Sequence, residues 1–305
     1  MEFLVVVNSI VVLFILMGVG YVSFKTKIVD RSGAKGLSSF LVNITLPCLV
    51  ITSMQIPINE EIFDKTMEIL LIAGIYYLIS FAFAFVVPRL LVKSDLERGV
   101  YSFMLVFSNL GFMGIPVSVA MFGQGAAFYA SLFMLPFGLL VFSIGILMLR
   151  PDMGHYFDIK LFINPGIISS LLGLLLFFAG WTIPEPFYDV VETLGNLTTP
   201  LAMVVVGALL ATMPFKEMFS DYHIYVMSAF RLIGIPLALF AVLAPFVSDP
   251  MILGIPVILA AMPVAANGVL LAEEYNVDSN AASKGVFIST LLCVATIPLI
   301  GLFLL

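Results

Sequence analysis

Two short stretches carry residues suited to holding a charged small molecule: Ser108–Pro116, "SNLGFMGIP", and Ala260–Gly268, "AAMPVAANG". Each sets an asparagine beside glycine and proline within an apolar run. Proline removes a backbone donor and crowds the preceding turn, and glycine costs a helix about 1 kcal/mol relative to alanine. Both runs are therefore expected to be broken helices. A break exposes N–H groups and partial positive charge at one half's N-terminus, which suits an anion, and carbonyls at the other half's C-terminus, which suit a cation. Asn109 and Asn267 add amides that donate to a carboxylate or accept from its proton. The candidate binding residues are Asn109, Gly111, Gly114, Pro116, Pro263 and Asn267.

The elements that must position them follow from composition. The chain has 305 residues, 62% hydrophobic and 10% charged, with mean hydropathy +1.17. A soluble domain carries about 25% charged residues, so the missing charge assigns hydrocarbon as the solvent. The expected fold is an all-α polytopic membrane protein with ten spans, at about 3–22, 37–55, 67–88, 99–121, 125–149, 161–181, 190–212, 222–247, 251–272 and 282–304. Runs this long and continuously apolar argue against barrel strands. The first run is followed, not preceded, by basic residues and lacks a small-residue cleavage site, so it reads as a mature helix rather than a signal peptide. Cys48 and Cys293 lie in apolar runs and read as reduced packing residues.

Eleven of the thirteen basic residues fall in connections after odd-numbered spans: Lys25, Lys27, Arg31, Lys35, Arg89, Lys93, Arg98, Arg150, Lys160, Lys216 and Lys284. The positive-inside rule places these connections in the cytoplasm and both termini on the outer side of the cell membrane.

The halves of the chain resemble each other. Asn43-Ile44-Thr45-Leu46-Pro47 in span 2 matches Asn196-Leu197-Thr198-Thr199-Pro200 in span 7, an Asn-x-Thr-x-Pro pattern repeated at half-length. Two five-span copies, 1–152 and 153–305, must be inserted upside down relative to each other, the arrangement of secondary transporters. Thr45, Pro47, Thr198 and Pro200 are second candidates for lining a substrate path; the alternative is that they only join and bend helices. Both Asn-x-Thr elements also read as glycosylation sequons, which a mid-membrane position disfavours.

Arg231, in "SAFRLIGIP", lies about ten residues into span 8, and an intramembrane arginine is a functional candidate by default. It can pair with a carboxylate substrate, snorkel to the headgroups, or cap carbonyls of a broken helix. Glu68, Glu273 and Glu274 sit at span ends and read as surface charges. No carboxylate lies mid-span, which leaves no acidic sodium cage or proton relay and leaves the coupling ion, H+ or Na+, undetermined. A nucleotide-driven pump would need a phosphate-binding GxxxxGK[ST] loop, and an intramembrane metalloenzyme an HExxH; neither motif is present. His155 and His223 lie at loop edges, so neither an enzyme nor a cofactor is expected, and nothing points to nucleic acid. An anion channel or a substrate-sensing receptor could use the same broken helices as a carrier.

"SNLGFMGIP" together with "MPVAANGVLLAEEYNVDSNAAS" and "STLLCVATIPL" in Met262–Leu299, and "LPCLV" in span 2, resembles the auxin efflux carrier family. Its bacterial members include malate and malonate carriers and its plant relatives are PIN-type carriers. The resemblance covers the whole chain. It implies a fold shared with bile-acid sodium symporters, in which spans 4 and 9 unwind and cross. It further implies a scaffold of spans 1, 2, 6 and 7, a mobile domain of spans 3–5 and 8–10, elevator-type transport of a small organic anion, and a homodimer. Gly268 departs from the pattern, which leads one to expect a bulkier residue, Thr or Ala, after Ala-Asn.

Overall fold

The structure is a computed structural model that describes residues 3–149, 164–213, 218–275 and 277–304. Arg150, His155, Lys160 and Lys216 lie outside the described residues. In chain order the helices are α1 (Phe3–Lys25), α2 (Arg31–Ser53), α3 (Glu60–Leu91), α4 (Asp95–Val106), α5 (Leu110–Phe122), α6 (Ala126–Leu149), α7 (Pro165–Ala179), α8 (Phe187–Thr212), α9 (Tyr222–Leu243), α10 (Pro250–Ala260), α11 (Asn267–Glu274) and α12 (Ser279–Leu304). Among the described residues, six of these (α2, α3, α6, α8, α9 and α12) are long and apolar enough to cross a membrane. Ile10–Lys25 within α1, together with α5, α7 and α10, are shorter apolar helices.

Several boundaries differ from the hydropathy reading for local reasons. The second span begins at Arg31 rather than 37, because the Asp30 carboxylate caps the helix by accepting from the Gly33 N–H at 2.7 Å. Arg31 and Lys35 therefore stand on the helix, not in the connection. The third span begins at Glu60, with Glu60 and Glu61 in its first turn, where the helix dipole favours negative charge.

Three helices widen into a π-turn just before a proline: Leu41–Thr45 before Pro47, Leu110–Gly114 before Pro116, and Phe230–Gly234 before Pro236. A proline inside a helix removes one N–H and presses its ring against the carbonyl four residues back. Widening the turn relieves that crowding and restores a partner one residue away, as where the Leu46 and Ile235 N–H groups reach back to Leu41 and Phe230.

The described chain forms two compact units. One comprises residues 1–70, 111–138 and 160–212; the other comprises 71–110, 139–159 and 213–305. In the first unit, α1 lies along α8 with backbone against backbone. A Cβ on Gly20 would overlap the Val204 carbonyl, and one on Gly207 would overlap the Met17 carbonyl. Lipid gives apolar side chains no reason to associate, so helix pairs there depend on close packing through small residues. Lys25 Nζ completes the pair by donating to the Ala211 carbonyl at 3.1 Å, near the negative end of α8. α2 is held similarly, with Gly195 of α8 against the Leu49 backbone, and Gly173 of α7 leaves room for the side chain of Met54 just beyond the end of α2. In the second unit, Gly145 and Gly285 leave room for Phe103, Phe107 and Met104, and the Phe103 and Phe107 rings pack with centroids 4.7 Å apart.

Replacing Gly207 by valine forces α1 and α8 apart. Overpacking of this kind costs about 1–3 kcal/mol, so Gly207→Val should lower the midpoint of thermal unfolding in detergent, whereas Gly18→Val, where an added Cβ meets nothing within 4 Å, should leave it nearly unchanged.

Candidate functional site

Both expected interruptions are present. Residues 107–109 separate α4 from α5, and residues 261–266 separate α10 from α11. Phe107 leaves the helix in an extended conformation, and Ser108 pairs with Val264 as an isolated antiparallel bridge. The Asn109 N–H donates to the Pro263 carbonyl at 2.8 Å, and the Ala265 N–H donates to the Phe107 carbonyl at 3.0 Å. The Val264 N–H donates to Ser289 Oγ of α12 at 3.0 Å. Each break thus supplies partners for the other, as a buried backbone requires.

Arg231 stands in the π-turn of α9 and is wholly buried. Its NH1 nitrogen donates to the Leu105 carbonyl at 2.9 Å, Nε to the Met262 carbonyl at 3.2 Å, and NH2 to the Tyr76 hydroxyl at 3.1 Å. Leu105 lies in the last turn of α4 and Met262 just beyond α10, so one guanidinium serves the carbonyl ends of both half-helices. Tyr76, on α3, lies 3.1 Å from both the Val106 carbonyl and Ser108 Oγ. Among the described residues Arg231 makes no ion pair. A snorkelling arginine would show an exposed head; with no exposure at all, Arg231 does not snorkel.

Asn109, Pro263, Arg231 and Asn267 fall in the second unit. Asn109 is 4% exposed, and Asn267 begins α11 with its side chain outside the described residues, as are those of Glu273 and Glu274. Gly111, Gly114 and Pro116 fall in the first unit with Thr45, Pro47, Thr198 and Pro200. Gly111 lies against Leu46, with room for a Cβ only 3.1 Å from Leu46 Cδ2. Gly114 and Pro116 are buried. The hydroxyl of Thr45 turns back to the Leu41 carbonyl at 3.4 Å, so it satisfies its own π-turn, while Thr198 Oγ1 is buried with no partner among the described residues. Pro47 is half-buried and Pro200 exposed.

Tyr76, Ser289 and Phe103 were not singled out by sequence reasoning. A tyrosine or serine in an apolar span gives no local signal, but the spacing of the two Asn-x-Thr-x-Pro elements could have pointed to Tyr76. It precedes Arg231 by 155 residues, close to the spacing of the two Asn-x-Thr-x-Pro elements, and the carbonyls the two side chains hold, Val106 and Met262, are spaced almost identically.

Comparison with known proteins bears on what such a site serves. The membrane transport protein family matches residues 5–156 and 151–301. The chain belongs to this family. It is the auxin efflux carrier family that the two motifs resemble. A Rhizobium meliloti relative named "Putative malonate transporter" is 26% identical over 297 residues, covering 93% of this chain and 91% of the relative. An uncharacterized transporter of Methanocaldococcus jannaschii is 23% identical with 98% of each chain covered, and YfdV of Escherichia coli K12, also an uncharacterized transporter, is 22% identical with 96% of each covered.

Gly268, where a bulkier residue is expected, has a physical counterpart. A Cβ there would come 2.7 Å from the edge of the Phe103 ring, so the aromatic ring occupies the space a bulkier residue would take. Gly268→Thr should therefore destabilise the protein by about 1–3 kcal/mol of overpacking, read as a lower thermal midpoint in detergent. Phe103→Leu in the same chain should recover most of that loss, an interaction that a double-mutant cycle measures.

Proposed function

We propose that this membrane transporter is a secondary carrier of a small organic anion, a mono- or dicarboxylate such as malate, malonate or an auxin-like acid, bound beside the paired breaks. The observation that carries this reading is the wholly buried guanidinium of Arg231, which carbonyl and hydroxyl dipoles hold without a carboxylate among the described residues. A buried charge without a counter-ion is costly and makes its surroundings electropositive. An anion arriving beside the breaks lowers that cost, and a cation raises it. Asn109 and the amides that open α11 are the groups to which the anion binds, while Arg231, each of whose nitrogens already donates one hydrogen bond, acts on it through its charge. The ten-span plan of two inverted repeats, the division into scaffold and mobile parts, elevator-type alternating access, a homodimer, and a cell-membrane location with both termini outside complete the proposal.

Malonate is the first substrate to test, since one relative carries it in its name. Proteoliposomes containing the protein should take up radiolabelled malonate, malate or indole-acetate in a saturable manner, with trans-stimulation by internal unlabelled anion. Asn109→Ala and Asn267→Ala should each lower uptake by about tenfold or more, the loss expected when a charge-assisted hydrogen bond to substrate is removed. Undiminished uptake by both variants would sink the site assignment, and unitary currents without trans-stimulation would identify a channel instead.

A further inference from the structure

We infer that Arg231 is a tethered cation: its guanidinium permanently fills the point where the carbonyl ends of α4 and α10 converge, so the crossover assembles and works without a mobile sodium ion there. The structural part of this inference stands on the geometry alone; its transport readout rests on the carrier reading above.

Two helices end at nearly one place, since a single side chain reaches Leu105 and Met262 with bonds of 2.9 and 3.2 Å. Both ends are negative poles of helix dipoles, and lipid provides no water to solvate them. Some positive group must stand between them for the arrangement to persist. A mobile ion would be held by oxygens and would exchange with solution. Arg231 is instead anchored covalently to α9, wholly buried, and fixed from a third side by the Tyr76 hydroxyl. The planar fork of guanidinium suits this position better than an ammonium, because it directs separate N–H groups at separate acceptors. Tyr76 mirrors the arrangement from α3: it sits beside the Val106 carbonyl as Arg231 does beside Met262, but it is neutral. One charge therefore serves both half-helix ends, and a second cation would be repelled. Since Arg231 cannot dissociate, binding and release of an ion at this point cannot drive the transport cycle; Arg231 is a positioning residue for the breaks that carry Asn109 and Asn267.

The test combines ion replacement with chemical rescue. Wild-type protein in proteoliposomes should take up malonate equally, within about twofold, when external sodium is replaced by choline at constant pH, a difference too small to reflect a lost coupling ion. Arg231→Ala should reduce uptake by about tenfold or more and lower the thermal midpoint of the purified protein, because it leaves buried carbonyls without a partner. Millimolar guanidinium should restore part of both, and urea, which has a similar shape and N–H groups but no charge, should restore neither. Should Arg231→Ala not purify as a monodisperse protein, Arg231→Gln carries the same rescue measurement. Strict sodium dependence of the wild type, unchanged uptake by Arg231→Ala, or rescue by guanidinium no better than by urea would each overturn the inference. If the wild type transports none of the anions offered, the carrier reading fails, and the thermal midpoints with guanidinium and urea still decide the role of Arg231.

Discussion

Two backbone hydrogen bonds, from Asn109 to Pro263 and from Ala265 to Phe107, impose the constraint that the second unit is built to meet. In hydrocarbon an unpaired amide or carbonyl costs several kcal/mol, so an extended stretch in the middle of a span is tolerable only when another such stretch lies beside it. Each break is thus the other's missing secondary structure. What the bridge leaves unsatisfied is distributed among three neighbouring helices: the Val264 N–H goes to Ser289 of α12, the Met262 and Leu105 carbonyls go to Arg231 of α9, and Tyr76 of α3 sits beside Val106 and Ser108.

The side chains around the bridge follow from the same constraint. Holding two extended strands together requires the ends of α4 and α10 to come close, and the volume beside them is filled by Phe103, Phe107 and Met104, with glycines 145, 268 and 285 where these large groups need space. Glycine therefore has two uses in this chain. At Gly20, Gly195 and Gly207 it lets one helix touch another's backbone, and at Gly145, Gly268 and Gly285 it makes room for an aromatic ring or a thioether.

Hydropathy and the glycine-proline punctuation made the apolar helices and both interruptions legible in the sequence, because each depends on local chemistry. The family was legible in the motifs around Asn109 and Asn267. The partner of each break was not, since no local pattern says that Ser108 pairs with Val264. Arg231 could be noticed but not interpreted: position in a span does not tell a snorkelling head from one locked onto carbonyls, and that depends on which way α9 faces. Helix starts were missed at Arg31 and Glu60, where capping and dipole effects outweigh the polarity of the residues. The π-turns before Pro47, Pro116 and Pro236 were also invisible, although the prolines that cause them were not.

The pairing of Ser108 with Val264 also bears on how the protein is made. The ribosome finishes the first break roughly 150 residues before the second, which at about 5–20 residues per second is a delay of about eight to thirty seconds. Throughout that interval residues 107–109 lack the partner that lipid requires of them. The pairing of the first break is therefore complete only once residues 263–265 have emerged.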